Sequence, residues 1–185
     1  YTQPQPNCAV SREAFFSDAA SVAAKAELAL ANGSGIALWS LGGEDPATWD
    51  ALREAGCEVL YHEAHLPDHA DAIFTHDPVI ITDEGSIILR MGKEQRRGEE
   101  AAIRATLEEL GVPTLTTLEG EATAEGGDLL WLDHETLAVG RGYRTNTEGL
   151  QQLTAALRPL GAETLEVQLP HGDGPESSQS PFFLQ

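Results

Sequence analysis

The stretch "DPVIITDEGSIILR" (77–90) has a near-duplicate fifty residues later, "GDLLWLDHETLAVGR" (127–141). Each is an apolar run, an acidic turn and a second apolar run. At that offset the whole of Asp77–Leu118 lies on Gly127–Gln168 without a gap. Val79-Ile80-Ile81 falls on Leu129-Leu130-Trp131, Leu89 on Val139, Leu107 on Leu157, and Gly111 on Gly161. The pattern predicts a strand (79–82 and 129–132), a turn, and a second strand (86–90 and 136–139). A helix follows in each copy. Ile103, Leu107 and Leu110 recur at i, i+4, i+7, and Leu150, Leu153, Leu157 and Leu160 trace a second stripe, so each helix has one buried face. Gly111 and Gly161 stand where a helix stops, and a third strand comes after each.

A looser unit precedes these two, with a strand over 36–41, a helix over 46–55, a stop at Gly56 and a strand over 57–61. The module is strand, strand, helix, strand, and a unit this small buries its faces only by stacking on neighbours. The expected organisation is a lead at 1–35 with an Ala-rich helix at 19–31, modules at about 36–70, 71–118 and 121–169, and an irregular polar tail at 170–185.

The chain has 185 residues, is 41% hydrophobic, and carries 30 acids against 11 lysines and arginines, a net charge of −19. That balance disfavours nucleic acid and anionic membrane surfaces as partners and favours a cationic ligand. No apolar run reaches the ~18–20 residues that span a bilayer, and no signal sequence is visible, so the expected location is cytoplasmic. Cys8 and Cys57 form neither a disulfide framework nor a metal spacing. Four histidines, at 62, 65, 69 and 76, are irregularly spaced and predict no metal site; His76 is expected to line a pocket.

Equivalent strand ends of stacked modules converge, and charge collects there. Asp71, Asp77 and Glu125 lie at strand entries, and Gly126-Gly127 lets the backbone bend so that the Glu125 carboxylate leaves the strand end. Singly, such acids are turn formers. Together, they repel unless a cation sits among them or a pKa rises. Arg90, Lys93, Arg96, Arg97, Arg141 and Arg144 make an island of positive charge in the two strand-to-helix connections. They either pair with Glu94, Glu99, Glu100 and Glu148 on the surface or grip a ligand carboxylate with their planar forks.

The motifs "FTHDP", "RRGE", "AEGGDLLWL" and "GRGYRTN" resemble the guanidine-modifying (pentein) superfamily, closest to dimethylargininase and arginine deiminase-like amidinohydrolases. The resemblance implies an α/β fold that is part of a five-bladed α/β propeller of β-β-α-β modules, incomplete at its C-terminus. It implies no cofactor and no metal, and an arginine-like guanidine as substrate. A cysteine attacks the guanidinium carbon, and a histidine moves protons. By motif position Glu125 is the catalytic glutamate, Asp77 and Asp71 bind the guanidinium, and Arg96 and Arg144 grip the amino-acid carboxylate, with Arg97 competing for the first place. His76 stands where relatives carry Glu or Arg.

Two departures follow. Ser177-Ser178-Gln179-Ser180 occupies the place of the strand bearing the catalytic histidine, and neither Cys8 nor Cys57 matches the nucleophile's motif. Five modules need about 250 residues at this spacing, so the expectation is an incomplete copy with exposed edges that would aggregate or form a homodimer. The alternatives are a non-catalytic binding module on the same propeller, as in ribosome anti-association factors, and an amidinotransferase parent.

Overall fold

The structure, a computed structural model, describes residues 17–33, 36, 38 and 44–169. The chain divides into two compact units, 1–61 and 62–185, each described by itself.

In the first unit, α1 (Ala19–Ala31) starts at Asp18, whose side chain accepts from the Ser21 amide at 2.8 Å. The second helix, α2 (Thr48–Glu54), packs against α1. Val22, Ala26 and Leu52 form a small core, with Trp49, Cys57 and Val59 half-buried around it. The amino-terminal helix therefore shares a unit with α2 and is not set apart at residue 35. The expected strand at 57–61 has no ladder partner among the described residues. Its alternation is real, since Cys57 and Val59 are half-buried while Glu58 and Leu60 are exposed. Alternation reports which side chains meet a core, and it does not report a hydrogen-bonding neighbour. The expected strand at 36–41, Cys8 and the tail at 170–185 lie largely or wholly outside the described residues.

The second unit contains the duplicated module twice. In the first copy β1 (Val79–Thr82) pairs antiparallel with β2 (Gly85–Ile88), α3 (Glu99–Glu109) crosses over, and β3 (Thr114–Thr117) returns parallel to β2. In the second, β4 (Leu129–Trp131) pairs antiparallel with β5 (Thr136–Arg141), followed by α4 (Thr147–Leu157) and β6 (Glu163–Gln168), parallel to β5. The strand orders β1-β2-β3 and β4-β5-β6 are the same topology. Parallel strands cannot be joined by a hairpin, so a helix must lie between them. Gly111 and Gly161 both sit at φ 81°, the left-handed geometry that ends each crossover.

The fully buried Leu153 and Leu157 of α4 pack with Leu129, Leu137 and Val139 of their own sheet and with Ile80, Ile87 and Leu89 of the other. Burying a leucine stabilises by ~1.5–3 kcal/mol, so this shared cluster binds the two copies into one body. On α3, Ile103 and Leu107 pack with Val79 and Ile88 as their stripe predicts. Leu110 does not; it caps the C-terminus of α3 at 47% exposure, because the helix ends one residue before it. The second strand also stops early. Beyond Ile88 the backbone leaves β3, and Arg90 forms an isolated antiparallel bridge with Ala124. No helix among the described residues is long and apolar enough to cross a membrane.

Candidate active site

The bridge between Arg90 and Ala124 fixes the site, because it delivers the next residue on each side to one place. Glu125 follows Ala124 and is fully buried. Its Oε1 accepts from the amides of Gly92 and Lys93, both at 3.1 Å, just past Arg90. The "EGGD" glycines then turn in a single 3-10 turn, Gly126–Asp128. The Gly126 amide donates to the Asp77 carbonyl at 2.8 Å and the Gly127 amide to Asp77 Oδ1 at 2.9 Å. A side chain at 126 could not fit. A Cβ there would stand 2.1 Å from the His76 carbonyl oxygen. Glycine is needed here for close backbone approach, not for an unusual φ.

Two buried guanidiniums complete the arrangement. Arg96, 4% exposed, pairs with Asp77 Oδ2 and with Glu99 at 2.6 Å, and it donates to the carbonyl of Asp71 at 3.0 Å. Arg144, 7% exposed, pairs with Asp128 Oδ1, and its Nε lies 3.7 Å from Glu125 Oε2. Asp128 Oδ2 accepts from the Thr145 hydroxyl at 2.9 Å, and that hydroxyl accepts from the Glu125 amide at 3.3 Å. Glu125 Oε2 has no hydrogen-bond partner. Carboxylates thus outnumber guanidiniums two to one in this cluster: Asp77, Glu99, Glu125 and Asp128 against Arg96 and Arg144.

The pKa shifts follow from this packing. Burial pushes the Glu125 carboxyl up; the Lys93 amide and Arg144 pull it back, and Asp77 adds to the rise. Burial likewise raises Asp128 against the opposing pull of Arg144 and Thr145. For Arg96, burial works against the charge, but hydrogen bonds to Glu99 and Asp77 outweigh it and its pKa is raised.

Of the residues singled out by sequence, Asp77, Arg96, Glu125 and Arg144 come together. Asp71 joins through its carbonyl, while its side chain is exposed. His76 is exposed and bonds the Gly126 carbonyl through Nε2 at 2.9 Å. Arg97 reaches the Met91 carbonyl at 3.3 Å, and Arg141 pairs with Glu166. Arg96 and Arg144 are turned inward onto the chain's own acids. Glu99 is the partner of Arg96, as the surface-pairing reading had it, yet the pair is buried. Asp128 and Thr145 were missed. The available signal was the second acid of "EGGD", at the mouth of a strand otherwise buried on one face. Among the described residues no group of three or more His, Cys, Asp or Glu could hold a metal ion.

Residues 61–168 match the family model described as arginine deiminase. The chain belongs to the arginine deiminase family. Among curated members and relatives, the N(G),N(G)-dimethylarginine dimethylaminohydrolase of Streptomyces coelicolor is 39% identical over 123 residues, 64% of this chain and 46% of its own. That of Pseudomonas aeruginosa is 36% identical over 100 residues, 54% of this chain and 39% of its own. The chain therefore spans less than half the length of either relative. A solved structure of the Pseudomonas aeruginosa enzyme, a cysteine-to-serine mutant complexed with citrulline, matches with a TM-score of 0.53 and 34% identity. The match covers 56% of this chain and 40% of that one. The N-terminal domain of a cyanobacterial arginine dihydrolase shares the fold at a TM-score of 0.52 and 24% identity, covering 57% of this chain and 38% of that one.

Proposed function

We propose that this chain carries the guanidinium-binding part of an amidinohydrolase site for arginine or methylated arginine. The observation that supports it most is Glu125, a buried carboxylate with one oxygen pinned by two amides and the other accepting no hydrogen bond, in a cluster where four carboxylates meet two guanidiniums. A planar cation is the ligand that such an oxygen lacks. Desolvation strengthens any bond made to it. The family membership and the names of the relatives favour the same chemistry.

In the proposed reaction a cysteine thiolate attacks the guanidinium carbon. The C–N bond to ammonia or a methylamine breaks, with the leaving nitrogen taking a proton relayed by a histidine, and water then splits the amidino-thioether to a urea and the free thiol. Glu125 and Asp77 accept from the guanidinium N–H groups and hold its positive charge. Arg96, paired with Asp77, and Arg144, 3.7 Å from Glu125 and paired with Asp128, hold these acids in place, which their burial favours over gripping a substrate carboxylate. The two β-β-α-β units are read as adjacent blades of a five-bladed propeller. Neither cysteine matches the nucleophile's motif, so the 185 residues alone bind a guanidine without turning it over.

Calorimetry with L-arginine and N-methylarginine tests this. Binding that disappears in Glu125→Gln, with no ammonia or methylamine released, is the expected result. No heat with either ligand, or release at an enzymatic rate, overturns it.

A further inference from the structure

We infer that Glu100 is a positioning residue: its carboxylate staples the two ends of the 91–98 loop and thereby sets the Gly92 and Lys93 amides that hold Glu125. Its Oε1 accepts from the Met91 amide at 2.8 Å, one residue past the Arg90 bridge. Its Oε2 accepts from the Gly98 amide at 2.6 Å, where α3 begins. Gly92 and Lys93 follow Met91 without a break, and both donate to Glu125 Oε1 at 3.1 Å. The same loop carries Arg96, the partner of Asp77. Both Glu100 oxygens thus go to backbone, whereas Glu99 beside it goes to an arginine.

A glutamate in the first turn of a helix that reaches back to the residue before it acts as a cap, and one oxygen is enough for that. The second oxygen is what joins α3 to the strand exit. Met91 is fully buried, so its amide cannot turn to water; without Glu100 that peptide must reorient, and the two amides after it move with it. Other contacts shape the loop. The 3-10 turn Glu94–Arg96 folds its middle, Arg97 Nε reaches the Met91 carbonyl at 3.3 Å, and Gly92 lies so close to the Arg144 backbone that a Cβ would stand 2.6 Å from its carbonyl oxygen. None of these gives the Met91 amide an acceptor. Ile103 fixes α3 in the core, so Glu100 passes the position of an anchored helix on to Glu125. The use of the staple in binding rests on the proposed guanidine site; the staple itself does not.

The test reads Glu125 by carbon-13 NMR of the labelled glutamate carboxyls, with Glu125→Gln providing the assignment. The Lys93 amide pulls the Glu125 carboxyl down, so loosening that bond raises the titration midpoint. Glu100→Asp keeps the charge but is too short to span both amides, and the Glu125 midpoint rises by about half a pH unit, roughly threefold in proton affinity. In Glu100→Gln a single oxygen is left to accept, while the loss of a nearby negative charge acts in the opposite direction, so a smaller rise is expected. That variant decides should Glu100→Asp not fold. Arg144, Asp77 and Arg96, the charged groups that face Glu125, are kept in both. An unchanged or lower midpoint in Glu100→Asp, or in Glu100→Gln where only that variant folds, overturns the inference. Calorimetry with L-arginine separates the two claims. Glu100→Asp should bind it about threefold more weakly than wild type, and equal affinity overturns the staple's use in binding. A wild-type chain that binds no L-arginine defeats the proposed function, while the Glu125 titration still decides the role of Glu100.

Discussion

Replacing Arg144 by methionine removes the counter-charge of two buried acids at once. Arg144 is 7% exposed, Asp128 is 1% exposed and Glu125 is fully buried, so water cannot take over. Stripping one partner from a buried pair costs about 3–5 kcal/mol, against a total stability of about 5–15 kcal/mol for a typical domain. At pH 7 the urea midpoint of the variant, followed by far-UV circular dichroism, should fall by roughly 2 M for a slope of about 2 kcal/mol per molar. The loss depends on pH with a definite sign. Arg144 pulls both carboxyls down, so its removal raises them further above their unfolded values. An acid raised on folding contributes stability that is fully present below the unfolded pKa, about 4, and is lost as pH rises through the folded pKa. The penalty of Arg144→Met should therefore be largest near pH 7 and shrink toward pH 4. Arg141→Met is the control, because its pairing with Glu166 is half-exposed and screened, worth at most about 1 kcal/mol. A loss below about 1 kcal/mol for Arg144→Met at pH 7, or one that is the same at both pH values, refutes the view of Arg144 as counter-ion to these acids.

Two other outcomes are expected. Gly126→Ala drives a Cβ into the His76 carbonyl, displaces the backbone that Asp77 shares with it, and costs about 1–3 kcal/mol in urea unfolding; a change under about 0.5 kcal/mol would show that the contact relaxes freely. Glu125→Gln removes an acid whose pKa burial has raised, so the variant should gain on wild type between pH 4 and pH 7, by about 1.4 kcal/mol for each pH unit of that rise; the opposite trend in paired melts would contradict the direction of the shift.

The duplicated module was legible in the sequence because its signals are local. The periods of Ile103 and Leu107, of Leu153 and Leu157, and the stops at Gly111 and Gly161 depend on neighbours within one helix turn or one strand. The motif positions of Asp77, Arg96, Glu125 and Arg144 were legible too, and these four do converge. Apart from Glu99 beside Arg96, their partners were not. Whether an arginine faces solvent, a ligand or a buried acid depends on backbone brought from 16 to 33 residues away, as with Arg144 and Asp128, Arg96 and Asp77, or Glu125 and Gly92.

The sequence by itself thus determined the β-β-α-β unit, its repetition and the strand ends at which charge gathers. Tertiary structure alone decided that the bridge from Arg90 to Ala124 places Glu125 between two amides, that Asp128 joins the site, and that both arginines turn inward. The physical reason is that periodicity specifies which face of an element is buried. Desolvation then selects the counter-charge of a buried ion from whatever the packed chain brings within reach.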